Sequence, residues 1–162
     1  MPIIEIETLI PAPVQTCFDL ARNVDLHTRS MSQTKEKVVA GVNGGLLEAS
    51  QEVTWEATHF FIRQRLAVRI TRFDPPRHFR DSQIAGPFRR MDHDHFFFPM
   101  ENGAATRVVD RFDYESPLGW LGKFVDELFL KRYLRRLLET RNRAVQEAAT
   151  EAASNWPGSS FV

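Results

Sequence analysis

Residues 89–99 read RRMDHDHFFFP, so His93 and His95 stand two positions apart just before three phenylalanines. Two imidazoles at that spacing project from the same face of a strand and offer three chemistries: metal ligation, proton transfer, or a half-buried structural role. For a metal, Asp110 or His59 would have to complete the set. Zinc needs three or four ligands in correct geometry, and with no further ligand motif in the chain no metal site and no cofactor are expected. For proton transfer the candidates are His95 and Asp110, and neither is assigned a catalytic role on this ground alone. There is no phosphate-cradling loop and no recognisable nucleophile.

The elements that position these side chains follow from alternation, because charges mark the wet side of a strand. In EVTWEA, Glu52, Thr54 and Glu56 face out and Val53, Trp55 and Ala57 face in. In FFIRQRLAVRI, Arg63, Arg65 and Arg69 face out, leaving Ile62, Gln64, Leu66, Val68 and Ile70 inside. Arg90, Asp92 and Asp94 outside turn Met91, His93, His95 and Phe97 inward. Arg107, Arg111, Asp113 and Glu115 outside turn Thr106, Val108, Asp110, Phe112 and Tyr114 inward.

Between the last two strands lies MENGA, with Asn102-Gly103 as the favoured centre of a type I′ hairpin. Closing there pairs Glu101 with Ala104 and places His95 opposite Asp110, His93 opposite Phe112 and Phe97 opposite Val108. Opposed residues have Cβ atoms about 4.5 to 5.5 Å apart, within reach of an imidazole–carboxylate contact. A shift of one residue would pair wet with dry, so turn chemistry and polarity agree.

Elsewhere, IIEIET reads as a strand with Ile4 and Ile6 on one face, and PAPVQTCFDLARNVDLH as one or two short helices, with Asn23 capping the second. KEKVVAG reads as a weaker strand before the turn VNGG. His59 falls in the tight turn between the third and fourth strands, at a cavity mouth or simply in a turn. A long helix closes the domain, beginning near Leu118 and reaching Ala148. Its apolar stripe changes sides, from Leu121, Phe124, Val125 and Leu128 to Leu134, Leu137, Leu138 and Val145, which predicts a break or two-sided burial around residues 129–133. The run KRYLRRLLETRNR gives it a basic, solvated face.

The 162 residues suit one domain, here taken as 1–150 with a flexible tail at 151–162. Lysine plus arginine equals aspartate plus glutamate, 21 each, so nothing favours nucleic acid. Cys17 is alone, which excludes an internal disulfide and fits the cytoplasm. No integral membrane segment is expected, and the oligomeric state is left as monomer or homodimer.

The stretches APVQTCFDLARNVDLH, VTWEATHFFIRQRL, FDPPRHF, AGPFRRMDHDHF and FDYESPLGWLG resemble the bacterial polyketide cyclase/dehydrase-like members of the SRPBCC superfamily, which includes the START lipid-transfer domains and the birch-pollen-allergen-like proteins. The resemblance runs from Ile3 to Ala148. It implies an α+β helix-grip fold: a curved, seven-stranded antiparallel sheet wrapped around a long C-terminal helix, two short helices after the first strand, and a large cavity between sheet and helix. It implies a hydrophobic or aromatic small-molecule ligand and no universal catalytic residue.

The residues lead to the same cavity. Polar groups at Gln64, His93, His95, Thr106, Asp110 and Tyr114 interrupt an apolar inner face, and each costs about 1 to 3 kcal/mol if buried without a partner. An apolar pocket with a few convergent polar groups is how small-molecule sites are built. The expected ligand-binding residues are Trp55, Gln64, His93, His95, Phe97, Asp110, Phe112 and Tyr114. A carrier or sensor of a lipid, polyketide or quinone-like molecule is the first reading. The alternative is a cyclase, aromatase or dehydratase in which His95, oriented by Asp110, transfers a proton.

Overall fold

The computed structural model describes residues 2–116 and 129–155. Strand β1 (Ile3–Ile10) is followed by helices α1 (Val14–Ala21) and α2 (Val24–Ser30) and a short turn of 3-10 helix. Strands β2 (Lys37–Gly41), β3 (Glu52–His59), β4 (Ile62–Asp74), β5 (His78–Ala85), β6 (Arg90–Met100) and β7 (Ala105–Glu115) come next, and helix α3 (Lys131–Ser154) closes the chain. The seven strands form one antiparallel sheet in the order β1-β7-β6-β5-β4-β3-β2. This is the helix-grip arrangement, with α3 against the concave face.

Local chemistry sets these elements. The Asn23 side chain accepts from the Leu26 backbone N–H at 2.8 Å and so caps α2. Asn102 (φ 54°, ψ 31°) and Gly103 (φ 92°) turn β6 into β7, with the Ala104 N–H donating to the Glu101 carbonyl at 3.2 Å. This fixes the expected register: His95 opposite Asp110, His93 opposite Phe112 and Phe97 opposite Val108. At Gly41 (φ 81°) a Cβ would lie 2.3 Å from the Glu52 carbonyl oxygen, so only glycine fits where β2 bends over β3.

The inward residues of β3, β4, β6 and β7 follow the alternation, with Val53, Trp55, Val68, Ile70, Met91, Phe97 and Phe112 all buried. Ile62, expected inside, is instead 62% exposed, because it lies at the β3–β4 turn beyond the edge of the core. The outer face is less wet than its charges suggest. Glu56 and Asp94 are only 5% and 4% exposed, because arginines on neighbouring strands lie across them. Arg65 reaches Glu56 at 2.8 Å, and Arg80 reaches Asp94 at 2.8 and 2.7 Å.

Helix α3 departs from expectation at its C-terminal end. It continues to Ser154, six residues past Ala148, because Val145 and Ala149 keep its apolar stripe against the core. Phe129 and Leu130 form a wider π-type turn just before it, at the position where the stripe changes sides. The expected start near Leu118, and Leu121, Phe124, Val125 and Leu128, lie outside the described residues. Among the described residues no helix is long and apolar enough to cross a membrane.

Candidate functional site

Between the concave face of the sheet and the three helices lies a cavity of about 610 Å³, in the range of small-molecule sites. Leu66, Val68 and Ile70 of β4 form its floor, and Leu134, Leu137 and Leu138 of α3 its roof. His59, Phe60, Phe129 and Tyr133 also line it. Here the His59 Nδ1 and the Tyr133 hydroxyl are hydrogen-bonded at 2.8 Å, and Phe60 packs on the Tyr133 ring. Burial lowers the His59 pKa, which keeps this imidazole neutral. Phe60, Phe61 and Ile62 at the β3–β4 turn are exposed, as is Phe129.

Of the eight residues expected to contact a ligand, Trp55, Gln64, His93 and Phe112 line the cavity. The other four share the inner face but lie behind its wall. Phe97 packs edge-on against Phe18 of α1, 5.3 Å between centroids, because α1 covers that end of the sheet. Tyr114 is wholly buried against Phe88 and Phe112. His95 and Asp110, each 1% exposed, form the layer beneath His93 and Asp81. Alternation assigns a residue to a face; which part of that face is cavity depends on where the helices touch it.

Behind the wall these groups form one network. His95 Nδ1 lies 2.6 Å from Asp110 Oδ1, and its Nε2 2.8 Å from Asp81 Oδ1. Only an imidazolium donates at both nitrogens. His93 Nε2 is 3.1 Å from Asp110 Oδ1, and its Nδ1 is turned toward Asp81 at 3.9 Å. Asn142 Nδ2 donates to Asp110 Oδ2 at 2.6 Å. Arg141 extends the network toward α1 and α2, donating through Nη2 to the Ala21 carbonyl at 2.6 Å and through Nε to His27 Nδ1 at 3.3 Å, with Nη1 3.6 Å from Asp110. His27, stacked on Trp55, uses its Nε2 toward Glu36 at 2.6 Å.

Protonation follows from this geometry. Burial and the charge of His95 push His93 down to about 4, so it is neutral. Burial and Arg141 oppose charge on His95, but Asp110 and Asp81 outweigh them and its pKa is raised. Burial would raise both carboxylates; hydrogen bonds from the histidines overcome it, bringing Asp81 to about 2 and Asp110 well below the usual carboxylate range. The two histidines therefore carry one positive charge between them, set between two anions. The cavity meets the buried histidine–carboxylate cluster through Asp81, His93 and Arg141, and the outer arm of the network through His27 and Glu36.

Asp81, Arg141, His27 and Asn142 escape the sequence reading. Arg141 carries a signal, lying on the stripe of Leu134, Leu137, Leu138 and Val145. Asp81 follows Arg80 in HFRDSQ, where alternation turns it inward with Phe79.

Residues 10–140 match the family described as polyketide cyclase / dehydrase and lipid transport. No curated protein sequence matches the chain significantly. Among solved structures, a protein from Thermus thermophilus shares 22% identity over 93% of this chain and 99% of its own, with a TM-score of 0.75. A START superfamily protein from Mycobacterium smegmatis shares 11% over 94% and 97% (TM-score 0.63). The Zhui aromatase/cyclase from Streptomyces sp. R1128 shares 16% over 94% and 93% (TM-score 0.62). At these identities the likeness is one of fold, and it agrees with the family match: the chain belongs to the polyketide cyclase/dehydrase and lipid-transport family of the SRPBCC superfamily.

Proposed function

We propose that the protein binds a hydrophobic or aromatic small molecule and acts as its carrier or sensor. The observation that carries this reading is the cavity itself, with mainly aliphatic and aromatic walls and a polar cluster at Asp81, His93 and Arg141. The apolar body of a lipid, polyketide or quinone-like molecule would lie along Leu66, Trp55, Phe112 and Leu137, and an oxygen at its end would meet the polar cluster. Lipid transport in the family's description supports the reading.

The experiment is titration with anilinonaphthalene sulfonate, read by probe emission and by quenching of tryptophan emission, with mass spectrometry of solvent extracts from the purified protein. One saturable site per chain, lost in Leu137→Trp, supports the reading. Absence of both saturable binding and any co-purified molecule overturns it.

A second reading has one observation in its favour. In a cyclase, aromatase or dehydratase, His95 oriented by Asp110 would move a proton; its ring does not line the cavity, but Asp81, 2.8 Å from Nε2, gives it a path there. Turnover of a polyketide substrate that vanishes in Asp81→Asn while binding persists would replace the carrier reading with this one.

A further inference from the structure

We propose that Asp81, His93 and His95 form a binding site for one divalent transition-metal ion on the cavity wall. The three donor atoms lie within 4.8 Å of one another, with His95 Nε2 2.8 Å and His93 Nδ1 3.9 Å from Asp81 Oδ1. They stand on paired strands, Asp81 opposite His93 in the β5–β6 register and His95 two residues further along β6. Such a frame holds ligands more rigidly than a loop. Metal bonds of about 2.0 to 2.2 Å put neighbouring donors roughly 3 to 3.5 Å apart, so the His93–Asp81 separation has to shorten by about half an ångström, and the two ring nitrogens, which lie within 4.8 Å of each other, have to close to the same spacing.

The outer groups point the same way. The remaining nitrogen of each ring, His93 Nε2 and His95 Nδ1, meets Asp110 Oδ1, at 3.1 and 2.6 Å. A carboxylate on the far nitrogen is the device that fixes the ring and tautomer of a metal-bound histidine. Here one carboxylate, anchored by Asn142, serves both rings and directs their other nitrogens toward the same point. Asp110, weighed from the sequence as a ligand, is thus the outer partner, and Asp81 completes the set.

Two imidazoles and one carboxylate suit Zn²⁺, Fe²⁺, Co²⁺ or Ni²⁺ better than Mg²⁺ or Ca²⁺, which prefer all-oxygen shells. Binding displaces to solvent the proton that His95 Nε2 shares with Asp81, and the ion takes over its place between the carboxylates. The cavity side stays open to water or to an oxygen of a bound molecule.

Chelator-stripped protein is titrated with Co²⁺, followed by visible absorption, and with Zn²⁺, followed by calorimetry. The expected result is one ion per chain. Asp110→Asn, which removes only the outer charge, weakens binding roughly 10- to 100-fold, and Asp81→Asn and His93→Gln weaken it further. His78→Ala, on the outer face, leaves it unchanged. Histidine-ring NMR of the unsubstituted protein with Zn²⁺ does not depend on any variant folding, and the ring signals of His93 and His95 should shift most. No saturable binding, equal binding in Asp81→Asn and His93→Gln, or shifts centred on His27, His59 or His78 would overturn the site. The apolar probe is titrated with chelator present, so failure of the metal site and failure of the cavity reading are separately visible.

Discussion

Asp110 on β7 and His95 on β6 face each other directly across the sheet, carboxylate to imidazole at 2.6 Å, with both side chains only 1% exposed. The contact joins the sheet to α3, since Asn142 and Arg141 approach the same carboxylate.

Asp110→Asn keeps the volume and removes the charge, leaving His95 and Arg141 facing a neutral amide. Removing one partner of a buried ion pair costs about 3 to 5 kcal/mol. Urea unfolding of the metal-free variant should show a loss of that size, and an unchanged midpoint would mean that the network is not charged as described.

Arg141→Met removes the group that holds the Ala21 carbonyl and His27 while balancing Asp110. A loss of several kcal/mol is expected, about 3 to 5 by the same reasoning. Arg141→Lys should recover less than half of it, because an ammonium lacks the planar fork that reaches these partners at once. Full recovery by lysine would reduce the role of Arg141 to bare charge.

The pH dependence of the metal-free protein follows from opposite shifts. His93, at about 4 against its ordinary 6.5, is protonated later in the folded than in the unfolded chain, so stability falls as pH drops from 6.5 toward 4. Asp81, at about 2 against 3.8, adds a further loss as pH falls from 3.8 through 2. The raised pKa of His95 gives stability that is complete below 6.5 and is lost as pH rises through its folded-state value. The cluster therefore favours the folded state most around pH 6.5. Urea midpoints measured across this range check it: the acid limb should flatten in His93→Gln, and a steady rise in stability above pH 6.5 would contradict a charged His95.

Leu137→Trp places an indole in the cavity from a half-buried position on α3. Probe affinity should fall at least about tenfold, or ~1.4 kcal/mol, with the thermal midpoint unchanged or higher because a void has been filled. A variant that binds as before would place the occupied volume elsewhere.

The register of His95 on Asp110 is legible because two independent signals coincide, the Asn102-Gly103 turn and the alternation of charge along both strands. Asp81 is not, since β5 pairs with β4 through two register irregularities, between Ala67 and Val68 and between Ile70 and Arg72, and the second separates it from the tight turn at Asp74–Arg77 that starts the strand. Alternation assigns Phe97 and Tyr114 to the right face and to the wrong layer of it, because only tertiary packing shows that α1 and Phe88 cover them. Arg141 reads from the sequence as part of a solvated basic face, since an arginine on an apolar stripe announces burial only once its acceptors are known.

Sheet order also bears on how the chain is made. Strands β2 to β7 are each hydrogen-bonded to the next in sequence, whereas β1 pairs only with β7, from Ile3 against Asp113 to Ile10 against Thr106. At roughly 5 to 20 residues per second, β1 therefore leaves the ribosome several seconds before the strand that will receive it. During that interval Ile4, Ile6 and Ile10 have no native strand partner, and an unpaired apolar strand is a template for another chain. Aggregation of nascent chains should begin at β1, and a charged residue at the exposed position Leu9 would protect the polypeptide during synthesis without touching the finished core.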